Sequence, residues 1–318
     1  MPFRHLLLLI GVLLSTAAQA ITPQEIKSQV EANDKKALPN AEAYAKANPK
    51  NVEALIWLTR ARLQADKAES AVDSAKQAVD IAPNNAQAQF WLGNAYGNYI
   101  GQVGMLSKMS MAPKLRDAYE ATVKLDPNNL EAREYLIQFY LQAPSVVGGG
   151  KDKALLQAKE IAKRDPARGH LAQAQIYLAE KNNSAALKSY ETAYATKPAD
   201  ATIRLALGVA YQQSNRWNDA FKHFRAWTAQ DDKAGVAWYQ IGRTSVLSGQ
   251  LLDEGLAALK KYLSMPHTTN EPQNKNAYYR MGQLYVKSGK KPEAKLAFQS
   301  ALKLDPNFKE VKVELAKL

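Results

Sequence analysis

Apolar positions recur at helical spacing along most of the chain, and the stretches that carry them stop at prolines: Pro49, Pro83, Pro127, Pro166, Pro198 and Pro306. Proline lacks a backbone N–H and cannot continue a helix, so each marks a stop. Pro49 and Pro83 stand 34 residues apart, and Trp57 and Trp91 repeat that interval. A period of this length accommodates two antiparallel helices. The pattern divides the chain after residue 20 into eight helix pairs: 21–51, 52–85, 86–129, 130–166, 167–200, 201–234, 235–274 and 275–308. Residues 309–318 form a capping helix, with Val311 and Leu315 facing inward and lysines and glutamates facing water. The first pair is the least regular, since its opening helix is short and Pro39 interrupts the second.

The residues inside each period agree with it. In the unit from 201, Leu207-Gly208 and Tyr211 fall on the first helix, Trp217 opens the second, and Ala220 and Phe224 lie on its inner face. The unit from 275 follows suit with Tyr278, Met281-Gly282, Tyr285, Gly289, Ala294, Phe298, Ala301 and Pro306. Small residues at the eighth and twentieth places (Gly208 with Ala220, Gly282 with Ala294, Ala174 with Ala186) let paired helices approach, while aromatics fill the space to the next pair. These positions resemble the tetratricopeptide-repeat family. The resemblance implies an all-α fold, a right-handed α-solenoid of about eight helix pairs with a C-terminal capping helix.

Three units exceed 34 residues. The third is ten longer between its helices, through 101–111, and has Leu115 where a small residue is expected; the fourth carries five extra residues around 143–150 and has Ile137 at such a place. These two insertions are consecutive and are expected on one rim. The seventh is six longer, mostly from Pro266 to Pro272. The segments Gln138-Phe139-Tyr140-Leu141-Gln142-Ala143-Pro144, Gly148-Gly149-Gly150 with Lys151-Asp152-Lys153-Ala154, and Asp165-Pro166-Ala167-Arg168-Gly169-His170 resemble a group of exported proteobacterial tetratricopeptide proteins. That resemblance implies a Gram-negative periplasm and brings no reaction with it.

Residues 1–20 read as a cleavable secretory signal: Arg4, an apolar run from Leu6 to Leu14, and Ala18-Gln19-Ala20 as a small-x-small cleavage site. The apolar run is far shorter than the roughly 20 residues a spanning helix needs, so no transmembrane segment is expected after cleavage. With no cysteine in 318 residues, disulfides, thiolate chemistry and a lipoprotein anchor are excluded. The formal charge of +12 becomes +11 once Arg4 is removed, which favours an acidic partner or surface.

Candidate chemistry is sparse. Gly149-Gly150-Lys151 lacks the parts of a phosphate loop, because Ser145 stands where the first glycine is needed and Asp152 where a magnesium-binding hydroxyl belongs; a mobile loop is expected instead. His170, His223 and His267 fall in different units without a partner at metal-ligand spacing, so no metal is expected. No nucleophile elbow or zinc-protease helix occurs, and no segment outside the repeats could house a catalytic domain, so the chain reads as neither an enzyme nor a cofactor protein. Trp217, Phe221, Phe224, Trp227, Trp238 and Tyr239 read mainly as core, with Trp227 standing where alanine is usual.

The family resemblance further implies that the first helices line a concave face. Its ninth place gives Arg60, Asn94, Gln138, Gln175, Val209, Arg243 and Gln283, and its fifth gives Ile56, Phe90, Glu134, Leu171, Leu205, Tyr239 and Tyr279. A lining of amides, guanidinium groups and aromatics suits a peptide or protein segment, the aromatics Phe90, Tyr239 and Tyr279 being expected to expose apolar surface. The site expected from the sequence is therefore Arg60, Phe90, Asn94, Gln138, Gln175, Tyr239, Arg243, Tyr279 and Gln283. The family's carboxylate clamp is not reproduced, because Ile56 and Arg60 stand where lysine and asparagine belong. The competing expectation is attachment of a basic surface to anionic envelope components: phospholipid, lipopolysaccharide or peptidoglycan. Nucleic acid is not expected for an exported chain.

Overall fold

A computed structural model describes residues 21–266 and 271–318. The expected signal at 1–20 and His267 lie outside the described residues. Those residues form seventeen α-helices and a short 3-10 turn, with no strand among them. In chain order the helices are α1 (Pro23–Glu31), α2 (Ala37–Ala47), α3 (Val52–Gln64), α4 (Ala68–Ile81), α5 (Ala86–Gln102), α6 (Met105–Leu125), α7 (Leu130–Gln142), α8 (Lys151–Ala162), α9 (Pro166–Ala179), α10 (Asn183–Thr196), α11 (Ala201–Gln213), α12 (Trp217–Gln230), α13 (Gly235–Ser248), α14 (Leu252–Leu263), α15 (Asn274–Lys287), α16 (Lys291–Leu304) and α17 (Lys309–Leu315). They belong to two compact units: the chain up to Leu136 with Ser145–Gly148, and Ile137–Pro144 with Gly149–Leu318, the division falling within α7.

Near Pro49, Pro83, Pro127 and Pro166 one helix ends and a capped helix begins. Proline stops the preceding helix, and a nearby side chain caps the following one: Asn51 accepts from Ala54 N–H at 3.1 Å, Asn85 from Ala88 at 3.0 Å, Asn129 from Ala132 at 2.9 Å and Asp165 from Arg168 at 3.1 Å. Each such cap is worth about 1 kcal/mol. Pro39 does not interrupt α2 as the sequence suggested. It sits in the first turn, where the N–H it lacks has no intrahelical acceptor.

Packing within a pair depends on the small residues. In the first unit a Cβ on Gly93 of α5 would lie 2.6 Å from the Tyr119 ring of α6, and in the second unit Cβ atoms on Gly208, Gly242 and Gly282 would overlap Phe224, Leu259 and Phe298. Phe224 and Phe298 are fully buried there. Trp227 fills a gap: it is buried with Phe221, Phe224, Ala237 and Ile241 between α12 and α13, and Arg204 lies over its ring. At the C-terminal end Val311 of α17 is buried with Phe298 and Ala301, and Leu315 packs against them.

Both insertions differ from expectation. The third unit's extra residues do not make a loop; they lengthen α5 to 17 and α6 to 21 residues and leave only Val103 and Gly104 between them. Leu115 is accommodated because Gly97 faces it, 3.5 Å from a Cβ built there. The fourth unit's segment is tied down where a mobile loop was expected. In the first unit Arg116 Nη1 donates to Val147 O at 3.1 Å; in the second, Gly149 N–H donates to Pro144 O and Gly150 N–H to Tyr140 O at 3.1 and 2.9 Å. Lys151 pairs with Glu180, so its ammonium is committed to a carboxylate.

Candidate peptide-binding surfaces of the first helices

In the first unit, α3, α5 and α7 present a run of aromatic rings with one guanidinium among them. The helical register puts Trp57 and Arg60 on one side of α3, and the 34-residue repeat puts Trp91 beside them on α5. Arg60 Cζ lies 4.3 Å from the Trp57 ring centroid and 4.8 Å from that of Trp91. Its charge is held by ring faces, each worth about 0.5–2 kcal/mol depending on desolvation. Burial lowers the Arg60 pKa from its ordinary value, and the charge of Glu31 opposes that shift.

Further along, Tyr119 stacks on Tyr135 at 5.2 Å, and Phe90 meets Trp91 edge-on at 5.5 Å and Tyr135 at 6.2 Å. Asn94 is engaged internally: its Nδ2 donates to Phe90 O at 3.0 Å, and its Oδ1 accepts from the Tyr119 hydroxyl at 3.3 Å. Burial, then a hydrogen bond to Glu131, pushes the Tyr135 phenol up to about 12, and burial raises Tyr119 as well. Both phenols therefore remain protonated donors at neutral pH.

The second unit has a different pattern. Gln212 of α11 donates to Thr244 Oγ1 at 2.8 Å and to Gln240 Oε1 at 3.2 Å, and its oxygen accepts from Arg243. Arg280 of α15 donates to Gln283 Oε1 at 2.9 Å and lies over the Tyr279 ring. Tyr279 is half-buried against Phe298 and Phe308, at 6.1 and 5.3 Å. His223, on α12, is wedged against Tyr194 and Phe224, with Nε2 2.8 Å from Arg204 O; burial lowers its pKa. Among the described residues no His, Asp, Glu or Cys side chains gather into a metal-binding group. No helix there is long and apolar enough to cross a membrane.

The residues singled out from the sequence thus fall into three groups. Arg60 with Asn94, and Arg243 with Tyr279 and Gln283, lie in side-chain clusters on first helices. Gln138 and Gln175 are exposed on α7 and α9, with no cluster around them. Phe90 and Tyr239 are corrections: each is only 6% exposed and packs into the core, Tyr239 meeting Tyr262 edge-on at 5.4 Å, so neither offers the apolar surface expected of it. Trp57, Trp91, Tyr135, Gln212 and Arg280 were not chosen from the sequence. The 34-residue repetition of the tryptophans was a usable signal for the first two, whereas Gln212 and Arg280 gain meaning only from their neighbours.

Comparison with known proteins agrees with this architecture. Residues 35–86, 177–240 and 276–308 each match a tetratricopeptide-repeat family model. A tetratricopeptide repeat protein from Parabacteroides merdae has a similar structure, with TM-score 0.53 and 16% identity across 83% of this chain and 97% of that one. A thermophilic tetratricopeptide-repeat protein from Thermus thermophilus aligns with TM-score 0.47 and 22% identity, over 59% of this chain and 96% of its own. The general transcriptional corepressor ssn6 of Schizosaccharomyces pombe is 25% identical over 126 residues, 40% of this chain, and the match spans only 11% of that relative's length. Family matches at three places along the chain, above helix pairs closed by glycine–aromatic contacts, make this a tetratricopeptide-repeat protein.

Proposed function

We propose that the protein is a non-catalytic scaffold or adaptor that holds a peptide or protein segment on its first-helix faces. The same reading puts it in a Gram-negative periplasm, in an envelope assembly, secretion or maturation process; the support for that location is the signal pattern of residues 1–20. The observation that carries the binding reading is Arg60 between two indoles. Its guanidinium spends no hydrogen bond on a described residue, so its donors face an incoming acceptor while Trp91 and Tyr135, both half-buried, offer apolar contact. Capture of partner from envelope extract, compared at a temperature where both proteins are folded because the lost ring contacts also lower the melting temperature, should fall about tenfold in Arg60→Ala, equivalent to roughly 1.4 kcal/mol. Photo-crosslinking groups at Gln138 and Gln175 should give discrete protein adducts, and groups at Lys76 and Lys188 on second helices should not. Equal adducts from both faces, with capture indifferent to Arg60, would defeat the reading.

A second reading, attachment to an anionic envelope surface, is favoured by the end of the α5–α6 hairpin. Met105, Leu106 and Met109 are 72%, 85% and 51% exposed there, beside Lys108, and no acidic residue occurs from 86 to 116. On this reading the protein sediments with phosphatidylglycerol vesicles at low salt, and Leu106→Glu abolishes the association. Sedimentation unaffected by either salt or that substitution argues against it.

A further inference from the structure

Two arginines on adjacent first helices of the second unit have no counter-charge. Arg243 of α13 and Arg280 of α15 form no ion pair with a carboxylate among the described residues, although Arg225–Glu254 and Lys275–Asp305 in the same unit do pair. Each is instead held by an amide oxygen, Arg243 by Gln212 and Arg280 by Gln283. Gln212 is itself fixed by Thr244 and Gln240, so its oxygen has one orientation. The Nε of Arg280 is buried with no acceptor.

Helices α13 and α15 pack side by side, and the register puts the ninth place of one repeat beside the sixth of the next. The same two places meet in the first unit, where Arg60, at the ninth place of its repeat, lies 4.8 Å from the ring centroid of Trp91, at the sixth place of the next. Desolvation first, and then the charge of Arg280, lowers the Arg243 pKa. Two half-buried like charges and an orphaned donor are each unfavourable, and an anion relieves each of them. A planar carboxylate matches the guanidinium fork in two parallel hydrogen bonds, whereas amide bracing pre-orders the side chains that offer it.

We propose that Arg243 and Arg280 form a receptor for a peptide carboxylate, with the half-buried Tyr279 contacting the chain that carries it. This rests on the peptide-holding reading and specifies its partner: a segment with an acidic side chain, or a free C-terminus, at the point that reaches α13 and α15. The lysine–asparagine arrangement of the family clamp is not used.

The test is fluorescence anisotropy on the full chain with three labelled heptapeptides. One carries two glutamates and an amidated C-terminus, a second replaces them by glutamine and has a free C-terminus, and the third is the glutamine peptide amidated. At least one carboxylate peptide should bind roughly tenfold tighter than the neutral one, and which of the two does so identifies the source of the carboxylate. Arg243→Gln and Arg280→Gln should each erase that preference, while Lys222→Gln, an equal charge loss on exposed α12, should leave it intact. If a glutamine variant fails to fold, Arg280→Lys, which keeps the charge and loses the fork, should lower the preference severalfold. No preference in the parent protein, or equal loss in Lys222→Gln, overturns the proposal. Crosslinked adducts at Gln138 and Gln175 persisting alongside that result would leave the peptide-holding reading standing and reject the arginine pair alone.

Discussion

Replacing Phe90 or Tyr239 by alanine should destabilise its unit by about 3–5 kcal/mol, the range for truncating a buried aromatic side chain. Phe90 is enclosed by Trp91, Tyr119 and Tyr135, and Tyr239 shares a buried cluster with Leu259, Tyr262 and Leu284. Truncation removes these contacts and leaves a cavity between helix pairs that cannot close without shifting them. Tyr279→Ala should cost less, because that ring is only half-buried. Thermal melts of the three single variants, compared with partner capture at a temperature where all are folded, separate core from contact roles. Capture lost in Phe90→Ala or Tyr239→Ala with an unchanged melting temperature would return those rings to the binding surface.

The second large effect is expected at Gly169 of α9. A Cβ there would lie 2.5 Å from Ala162 Cα and 2.7 Å from Ala162 N. Both are backbone atoms, so no side-chain rotation relieves the overlap, and α8 and α9 would have to separate. Gly169→Ala should therefore cost about 3 kcal/mol, the upper part of the usual overpacking range. Gly97→Ala is the contrasting control: the new Cβ meets Leu115 at 3.5 Å, an ordinary contact, and replacing a helical glycine gains about 0.5–1 kcal/mol. Urea unfolding of both variants should show opposite signs. Equal midpoints would mean that the α8–α9 approach is not tight.

The helices were readable because the signals that bound them are local. A proline removes its own N–H, and an asparagine or aspartate caps a helix three residues on; both act within one turn of chain. The small eighth-place residues were readable too, since their tolerance for a ring above them is set by size alone. The 101–111 segment was expected between the two helices of its unit, whereas it belongs mostly to the helices themselves, only the two residues before Met105 breaking them. Gly149 and Gly150 suggested mobility, yet their N–H groups find carbonyls of Pro144 and Tyr140, partners that only the fold supplies.

The candidate surfaces were less legible. Repeat position identifies a first helix and, roughly, a face, but the same fifth place is a buried ring at Phe90 and Tyr239 and a half-buried one at Tyr279. Which it becomes depends on the ring across from it, Tyr119 or Tyr262 in one case and Phe308 in the other.

The arginine carried between Trp57 and Trp91, and the pairing of Arg243 with Arg280, show the same division. Period, most helix limits and the all-α fold follow from residues that interact with near neighbours in the chain, and the basic charge from composition, so the sequence by itself determined them. Tertiary structure alone decided which rings are buried and which charges lack a partner. Burial and charge compensation are set largely by side chains on neighbouring helices, distant in sequence, as Trp91 is from Arg60 and Gln212 from Arg243, brought within a few ångströms by helix packing.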